Sequence, residues 1–184
     1  MYKKSSDRKI FLSVTDLLLL IAIVLDSYPV IPNTEYMLLI VGLGNPGNSF
    51  ENTRHNIGRE IAEEFSATHD FNEFRFEKKW NAKVAEGKIG RERISVVLPD
   101  TMMNKSGAAV APAARFFKTA PRRIFVIHDD ADIALGRAKL SFGRNSAGHK
   151  GVESVIRALK TKDFWRLRIG IAGLGRIGWA FHYK

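Results

Sequence analysis

Two short apolar runs place the strongest constraint on how this chain can fold. Residues 38–41 (LLIV) and residues 124–127 (IFVI) contain no polar side chain, and each run is followed directly by a glycine or a polar stretch. Runs of this length are typical of strands that are covered on both faces, as in the middle of a parallel sheet. Such strands need helices on both sides, so the two runs predict an α/β fold.

The other segments supply the helices and the outer strands. Ile57, Ile61 and Phe65 recur at helical spacing and predict a helix over residues 57–68. Residues 81–98 are typical of a hairpin with its turn at 90–91, which adds antiparallel pairing. We therefore predict one α/β domain with a twisted, mixed but mostly parallel sheet and helices on both faces. Further segments are a helix over 106–117 with Ser106 as its cap and a kink at Pro112, strands over 137–142 and 166–172, and a helix over 150–160.

Residues 1–36 do not match the rest of the chain. A basic start and an apolar stretch at 17–25 imitate a secretion signal, but Asp16 interrupts the apolar run and no small-x-small cleavage site follows. The stretch is also short for a membrane span. Met37 stands directly before the first apolar run. We expect 1–36 to be an N-terminal appendage or an over-long start, and 37–184 to be the catalytic domain without a membrane contact. Secretion, or organellar or membrane attachment through 1–36, is the alternative.

Charge is concentrated at one end of the sequence. The formal net charge is +10, and residues 137–184 contain eleven Lys or Arg against only two acidic residues. Such a cationic region attracts polyanions, and its basic residues alternate with aromatic ones, so we expect a nucleic-acid partner. The sequence has no cysteine. This excludes disulfides, thiolate metal sites and a cysteine nucleophile, and it fits a reducing compartment such as the cytoplasm.

The glycines at 42, 44 and 47 match G-x-G-x-x-G, the pattern of a dinucleotide-binding turn. That function needs a helix to begin within the motif, so that its N-terminus meets the pyrophosphate. Instead a largely polar, turn-rich stretch of nine residues follows, and the acidic residue expected about 20 positions later is absent. A second match at 173–178 is followed by only six residues. We therefore expect no nicotinamide cofactor.

Polar side chains follow several of the predicted strand ends. Asn45 and His55 follow the first run, Asp129 follows the second, and Asn104 and His149 lie in later loops. In open α/β folds such loops form the ligand site. A histidine oriented by a carboxylate can take a proton from water, and amides can stabilise an oxyanion. The alternatives are ordinary surface loops or a metal site, but no H-E-x-x-H pattern supports a metal and no G-x-S-x-G pattern supports a serine nucleophile.

These motifs, taken in order, resemble bacterial-type peptidyl-tRNA hydrolase. The resemblance covers residues 37–172 and rests on VGLGNPG, TRHNIG, MMNKSG, HDDAD, GHKG and FWRLRIGI. It implies hydrolysis of the ester that joins a peptide to the terminal ribose of tRNA, which recycles tRNA from peptidyl-tRNA released prematurely from ribosomes. It also implies no metal and no cofactor, a peptidyl-tRNA partner bound through its 3′ acceptor end and phosphate backbone, and a monomer in the cytoplasm.

The resemblance also implies roles for individual residues. His55 is expected to activate water, and Asp129 to orient and stabilise His55. Asn45 is expected to separate peptidyl from free aminoacyl substrates. Further positions match substrate or tRNA contacts: Phe50 and Met102 at the tRNA end, Asn104 for substrate and water, His149 and Lys150 in the same cleft, and Lys139 and Arg168 at tRNA phosphates.

The sequence departs from the family pattern at three places. Lys150 replaces the asparagine of the family's GHNG motif, and a lysine donates hydrogen bonds but cannot accept them. Ser141 stands where a second phosphate-binding lysine is usual. The family continues after RIGI with segments that help to cover the cleft, so we expect the C-terminal part to be truncated and activity to be weakened. The alternative function is a non-catalytic RNA-binding relative of the same fold, like a splicing factor of plastids.

Overall fold

The computed structural model describes residues 37–172. The expected N-terminal appendage, the second glycine pattern at 173–178 and the expected truncation lie outside the described residues.

One seven-stranded sheet organises the described part of the chain. From one edge to the other the strand order is β2-β3-β4-β1-β5-β7-β6. The central pairs β4–β1, β1–β5 and β5–β7 are parallel, and the outer pairs β2–β3, β3–β4 and β7–β6 are antiparallel. The predicted mixed sheet is confirmed, with its parallel pairing confined to the centre. The strands are β1 (Leu38–Gly42), β2 (Arg75–Glu77), β3 (Ala82–Ile89), β4 (Glu92–Pro99), β5 (Ile124–Ala134), β6 (Ala138–Phe142) and β7 (Trp165–Ala172).

Helices cover both faces of this sheet, as predicted. They are α1 (Ile57–Thr68), α2 (Gly107–Phe116) and α3 (Lys150–Leu159). Alternate residues of β1 feed the two cores because side chains of a strand point to opposite faces in turn. Leu38 and Ile40 pack in the cluster that contains Phe65 of α1. Leu39 and Val41 pack in the cluster that contains residues of α2 and α3.

Gly42 and Gly58 allow a helix to pack closely on the sheet. A Cβ atom on Gly42 would lie 2.6 Å from Cβ of Ala62, and a Cβ atom on Gly58 would lie 2.3 Å from the carbonyl oxygen of Ile127. Both distances are too short for any side chain, so these glycines allow α1 to lie directly on β1 and β5. Within the glycine pattern, Gly42 therefore allows close packing of a helix on the sheet, and a Cβ atom on Gly44 would likewise lie 2.9 Å from Cβ of Arg59 in that helix.

Two local expectations need correction, and one strand was not foreseen. The strand predicted over 124–127 continues as β5 to Ala134, because its polar half pairs with β7 up to a register irregularity between Asp130 and Ala134. Ser106 does not cap α2 through its side chain; its hydroxyl donates instead to the carbonyl of Met103 at 2.8 Å. The short edge strand β2 was not predicted.

Candidate active site

The candidate site forms where the central strands end. Strands β4, β1 and β5 are parallel, so their carboxyl ends lie together at one end of the strands. The loop after β1 brings Asn45 to these strand ends, and a 3-10 turn at Arg54–Asn56 brings His55. Asp129 projects from β5, and His149 precedes the first turn of α3.

Asp129 bridges two imidazoles. Its Oδ2 lies 2.7 Å from Nδ1 of His55, and its Oδ1 lies 2.9 Å from Nε2 of His149. The carboxylate side chain is only 5% exposed, whereas 71% of the His55 side chain is exposed. The site therefore has a buried anion on one side of His55 and an open imidazole edge on the other.

The surroundings of His149 fix the positions of the protons in this group. Nδ1 of His149 accepts hydrogen bonds from the backbone N–H groups of Gly151 at 3.1 Å and Val152 at 3.2 Å, so this imidazole is the N-cap of α3. An accepting Nδ1 leaves the ring proton on Nε2, which donates it to Asp129. His55 donates its Nδ1–H to the other carboxylate oxygen. Nε2 of His55 then keeps its lone pair free, which is the requirement for a general base.

Asp129 is held in its charged form. Burial acts to raise the pKa of this carboxyl, but the hydrogen bonds and charges of His149 and His55 outweigh it, and the pKa lies below its ordinary value. An ionised Asp129 accepts from both imidazoles and stabilises positive charge that develops on His55 during proton transfer.

Asn45 is fixed by a contact with the loop that follows β4. Its Oδ1 accepts the backbone N–H of Met103 at 2.8 Å. Because the oxygen is engaged, the Nδ2 amide hydrogens are the part of the side chain that remains for a ligand. Asn104, the other expected amide, lies in the adjacent 3-10 turn Met103–Lys105 and is exposed.

Three further expected residues lie in or beside the loops of the site and differ in exposure. Phe50 lies half-buried in the 3-10 turn Asn48–Phe50, and Met102 is 48% exposed before the next turn. Lys150 opens α3 beside His149 and is exposed. The structure thus places all three near the loops that form the site.

The two expected phosphate contacts differ from each other. Lys139 is exposed on the edge strand β6, directly opposite Arg168 on β7. Arg168 is mostly buried, and its Nε donates to Oδ2 of Asp130 at 2.6 Å. Burial acts to raise the pKa of Asp130, but the hydrogen bonds from Arg168 and from the backbone N–H of Asp132 outweigh it and lower the pKa. Arg168 is therefore already committed to an internal ion pair.

Two residues of the site were missed at the level of sequence. His128 is fully buried, its ring packs edge-on to that of His149 with centroids 4.6 Å apart, and burial together with the charge of His149 lowers its pKa to about 3. Asn56 is also buried and holds Asn45. Asn56 follows His55 directly, and this adjacency was the only signal that could have drawn attention to it.

Comparison with known proteins agrees with this geometry. The family model for peptidyl-tRNA hydrolase matches residues 39–178, which is most of the chain. The chain belongs to the peptidyl-tRNA hydrolase family. It is 44% identical over 134 residues to the peptidyl-tRNA hydrolase of Mycobacterium sp. (strain KMS), covering 73% of this chain and 69% of that protein. The same identity and share of this chain hold for the Mycobacterium tuberculosis peptidyl-tRNA hydrolase, of which 70% is covered.

The fold of this family member is also found in solved structures. The crystal structure of peptidyl-tRNA hydrolase from Acinetobacter baumannii superposes with a TM-score of 0.72 at 34% identity, covering 78% of this chain and 72% of that one. The family and the α/β fold that the motifs indicated are thereby confirmed. Within residues 37–172, no group of His, Asp and Glu side chains is arranged to hold a metal ion, and no helix is long and apolar enough to cross a membrane.

Proposed function

We propose that this chain hydrolyses the ester bond between peptide and tRNA in peptidyl-tRNA by means of water that His55 activates. The observation that carries the proposal is the His55–Asp129 pair: an exposed imidazole whose Nδ1 is held at 2.7 Å by a buried carboxylate, which leaves Nε2 as its basic nitrogen. Membership of the peptidyl-tRNA hydrolase family supports the same substrate.

The proposed reaction uses His55 first as a base and then as an acid. Water gives a proton to Nε2 of His55 as its oxygen forms a bond with the ester carbonyl carbon. Asp129 stabilises the imidazolium that results. When the tetrahedral intermediate collapses, the bond from carbon to the ribose oxygen breaks and His55 returns the proton to that oxygen. The products are a peptide with a free carboxyl group and tRNA with a free ribose hydroxyl.

Amide groups are proposed to guide the substrate. Nδ2 of Asn45 is the group that can donate to the substrate, because Oδ1 of the same side chain accepts from the backbone N–H of Met103. The exposed amide of Asn104 is proposed to orient substrate and water. Lys150 supplies a cation at the start of α3 where the family pattern has an asparagine. Phe50 and Met102 are proposed to contact the tRNA end, and His149 acts through Asp129.

The proposed partner is the peptidyl-tRNA itself, bound by a monomer in the cytoplasm. The described part of the cationic region runs along β6, α3 and β7, beside the loops of the site. Lys139 on the exposed edge strand is the proposed phosphate contact, with Arg168 behind it. The alternative of an RNA-binding relative without activity has no supporting observation among the described residues.

The decisive test compares His55→Ala and Asp129→Asn with the unchanged chain on an N-acetylaminoacyl-tRNA. We expect kcat to fall by about 10²–10⁴-fold in His55→Ala, since general base catalysis contributes that much, while tRNA affinity stays close to normal. Asp129→Asn should also lower kcat, because an amide no longer fixes the His55 tautomer. His69→Ala, at the far end of α1, is the control and should keep full activity. Unchanged turnover in His55→Ala would contradict the mechanism.

A further inference from the structure

We infer that Asn56 is a positioning residue that determines which atoms of Asn45 face the substrate, and thereby the preference for peptidyl over aminoacyl esters. The inference rests on the proposed function and concerns the same site.

Asn56 holds the backbone of Asn45 from both sides. Its Oδ1 accepts the Asn45 N–H at 2.8 Å, and its Nδ2 donates to the Asn45 carbonyl at 3.0 Å. The residue is only 3% exposed. Both polar ends of its amide are therefore paired with the backbone of Asn45, one with the peptide group before that residue and one with the peptide group after it, which leaves Asn45 little freedom to rotate about its backbone.

The fixed backbone in turn fixes the side chain of Asn45. From this position Oδ1 of Asn45 meets the Met103 N–H at 2.8 Å, so the oxygen points away from the ligand and the NH₂ group remains for it. An N-acylated substrate presents a carbonyl oxygen that can accept from this NH₂ group. A free aminoacyl ester presents an ammonium group, which only donates. The orientation of one amide thus distinguishes the two substrate classes.

Two other features show that the local sequence serves this contact. Asn56 occupies the N-cap position of α1, where asparagine is a preferred capping residue, yet its side chain makes no capping hydrogen bond. Its amide is used for Asn45 instead. Gly44 makes room for it, because a Cβ atom there would lie 2.9 Å from Oδ1 and 3.1 Å from Cγ of Asn56. The contact is therefore made at the expense of the helix cap, and it requires a glycine at residue 44.

Asn56 is also the sequence neighbour of the proposed base. It is the last residue of the 3-10 turn Arg54–Asn56, directly after His55. The turn that presents the proposed base to Asp129 thus also presents the amide that holds Asn45.

The test measures kcat and KM for N-acetylaminoacyl-tRNA and for the same tRNA with an unblocked amino acid. We expect Asn56→Ala to lower the preference for the acetylated ester by about tenfold or more, because a misplaced amide loses its orientation. Asn56→Asp keeps the size and the acceptor for the Asn45 N–H but places an oxygen against the Asn45 carbonyl. Asn56→Asp should show the same loss of preference for the acetylated ester, and it provides the test if Asn56→Ala does not fold. Asn72→Ala is the matched control, since Oδ1 of Asn72 accepts the Glu86 N–H at 2.8 Å on β3.

A double-mutant cycle with Asn45→Ala shows whether Asn56 acts through Asn45. If it does, Asn56→Ala changes the substrate preference little once Asn45 is already alanine. Equal and additive losses, or a preference as unaffected as in Asn72→Ala, would overturn the inference while the hydrolase activity stands. Failure of the unchanged chain to release the acetylated amino acid would instead overturn the proposed function, and this inference with it.

Discussion

The imidazole of His149 caps a helix and also holds the carboxylate of Asp129, the proposed partner of the base. Its Nδ1 accepts two backbone N–H groups at the start of α3, and its Nε2–H donates to Asp129. The two roles require the same tautomer, so each stabilises the other. His149 therefore acts on the proposed reaction through the orientation of Asp129.

Two substitutions separate these roles. His149→Asn keeps a preferred cap residue but is too short to serve Asp129 as well, whereas His149→Ala loses both contacts. We expect kcat to fall in both variants. The free energy of unfolding should be lower in the alanine variant than in the asparagine variant by about 1 kcal/mol, the usual value of an N-cap. Urea unfolding and single-turnover hydrolysis measure the two effects. Full activity in His149→Asn would show that its contact with Asp129 has no part in the reaction.

We expect His128 to make the free energy of unfolding depend on pH. Burial and the neighbouring charge of His149 lower its pKa from 6.5 to about 3. Between these values the unfolded chain binds a proton that the folded chain does not. The free energy of unfolding therefore falls as the pH decreases through this window, by about 1.4 kcal/mol per pH unit for one group. Above pH 6.5 the contribution is complete and constant.

The prediction is tested by urea unfolding between about pH 5 and 6.5, where Asp129 and Asp130 have already ionised because their pKa values are lowered. His128→Leu should be less stable at neutral pH, because it loses the bond from Nδ1 to the Asp129 carbonyl. Its stability should nevertheless vary less with pH than that of the unchanged chain. His69→Gln removes a histidine elsewhere and should keep the original slope. Equal slopes in all three proteins would refute the role of His128.

The proposed catalytic residues were easier to predict from the sequence than the residues that hold them in place. His55, Asp129 and Asn45 were identifiable because base, carboxylate and amide stand in recognisable motifs after predicted strands. Asn56 was not, because its importance lies in two hydrogen bonds to a residue eleven positions earlier, which exist only after α1 has packed on β1. For the same reason His128 could not be distinguished from a surface histidine until β5 was seen to bury it.

Among the elements, α1 connects the fold to the site most directly. It follows the turn that carries His55, and it lies on β1 and β5 where Gly58 has no side chain. A Cβ atom at Gly58 would approach the Ile127 carbonyl to 2.3 Å, and Ile127 is two residues from Asp129 in β5. Any displacement of α1 therefore changes the distance between the base and its carboxylate.

Gly58→Ala tests this connection. Alanine is the better helix former by about 1 kcal/mol, so helix propensity alone predicts a more stable protein. We expect the opposite, with both the melting temperature and kcat reduced, because α1 must move away from the sheet. The control is Ala67→Gly at an exposed position of the same helix, which should lower stability without lowering kcat at temperatures where the protein remains folded. A more stable and fully active Gly58→Ala would contradict the argument.

The elements themselves were predictable where the apolar pattern was strong. The bounds of α1 and of the β3–β4 hairpin follow from periodicity and a glycine turn. The second half of β5 was not predictable, because His128, Asp129 and Asp130 interrupt the apolar run that indicates a buried strand. They form strand only because β7 pairs with them from the other side, a contact between segments about 40 residues apart that no local pattern encodes.

At the scale of the whole molecule, the sheet arranges charge relative to the site. The strand order puts β7 and β6 at one edge, next to β5 and Asp129, and puts β3 and β2 at the other edge. The basic residues of β6 and β7 therefore lie in the half of the sheet that adjoins Asp129, and α3 begins directly after His149, which contacts Asp129. The sequence showed that the charge excess belongs to the end of the chain, but only the sheet order shows that β6 and β7 lie beside β5.

Lys139 and Arg168 stand opposite each other at this edge, but they should contribute differently to tRNA binding. Lys139 is exposed, whereas Arg168 is mostly buried and paired with Asp130 at 2.6 Å. We expect Lys139→Ala to reduce the slope of log Kd against log salt by about 0.9, the value for one lost phosphate contact. Arg168→Ala should weaken binding mainly by leaving the Asp130 carboxylate unpaired near the phosphates, and it should destabilise the protein as Lys139→Ala does not.

The matched control for charge is Lys88→Ala, which removes the same charge from an exposed position of β3, far along the sheet. Filter binding of tRNA at several salt concentrations gives the three slopes, and urea unfolding gives the three stabilities. If Lys88→Ala and Lys139→Ala change the slope equally, the protein attracts tRNA through its net charge alone, and the edge formed by β6 and β7 is not a defined phosphate site. A change confined to Lys139→Ala places a tRNA phosphate at that edge, because counterions are released only where a phosphate is actually neutralised.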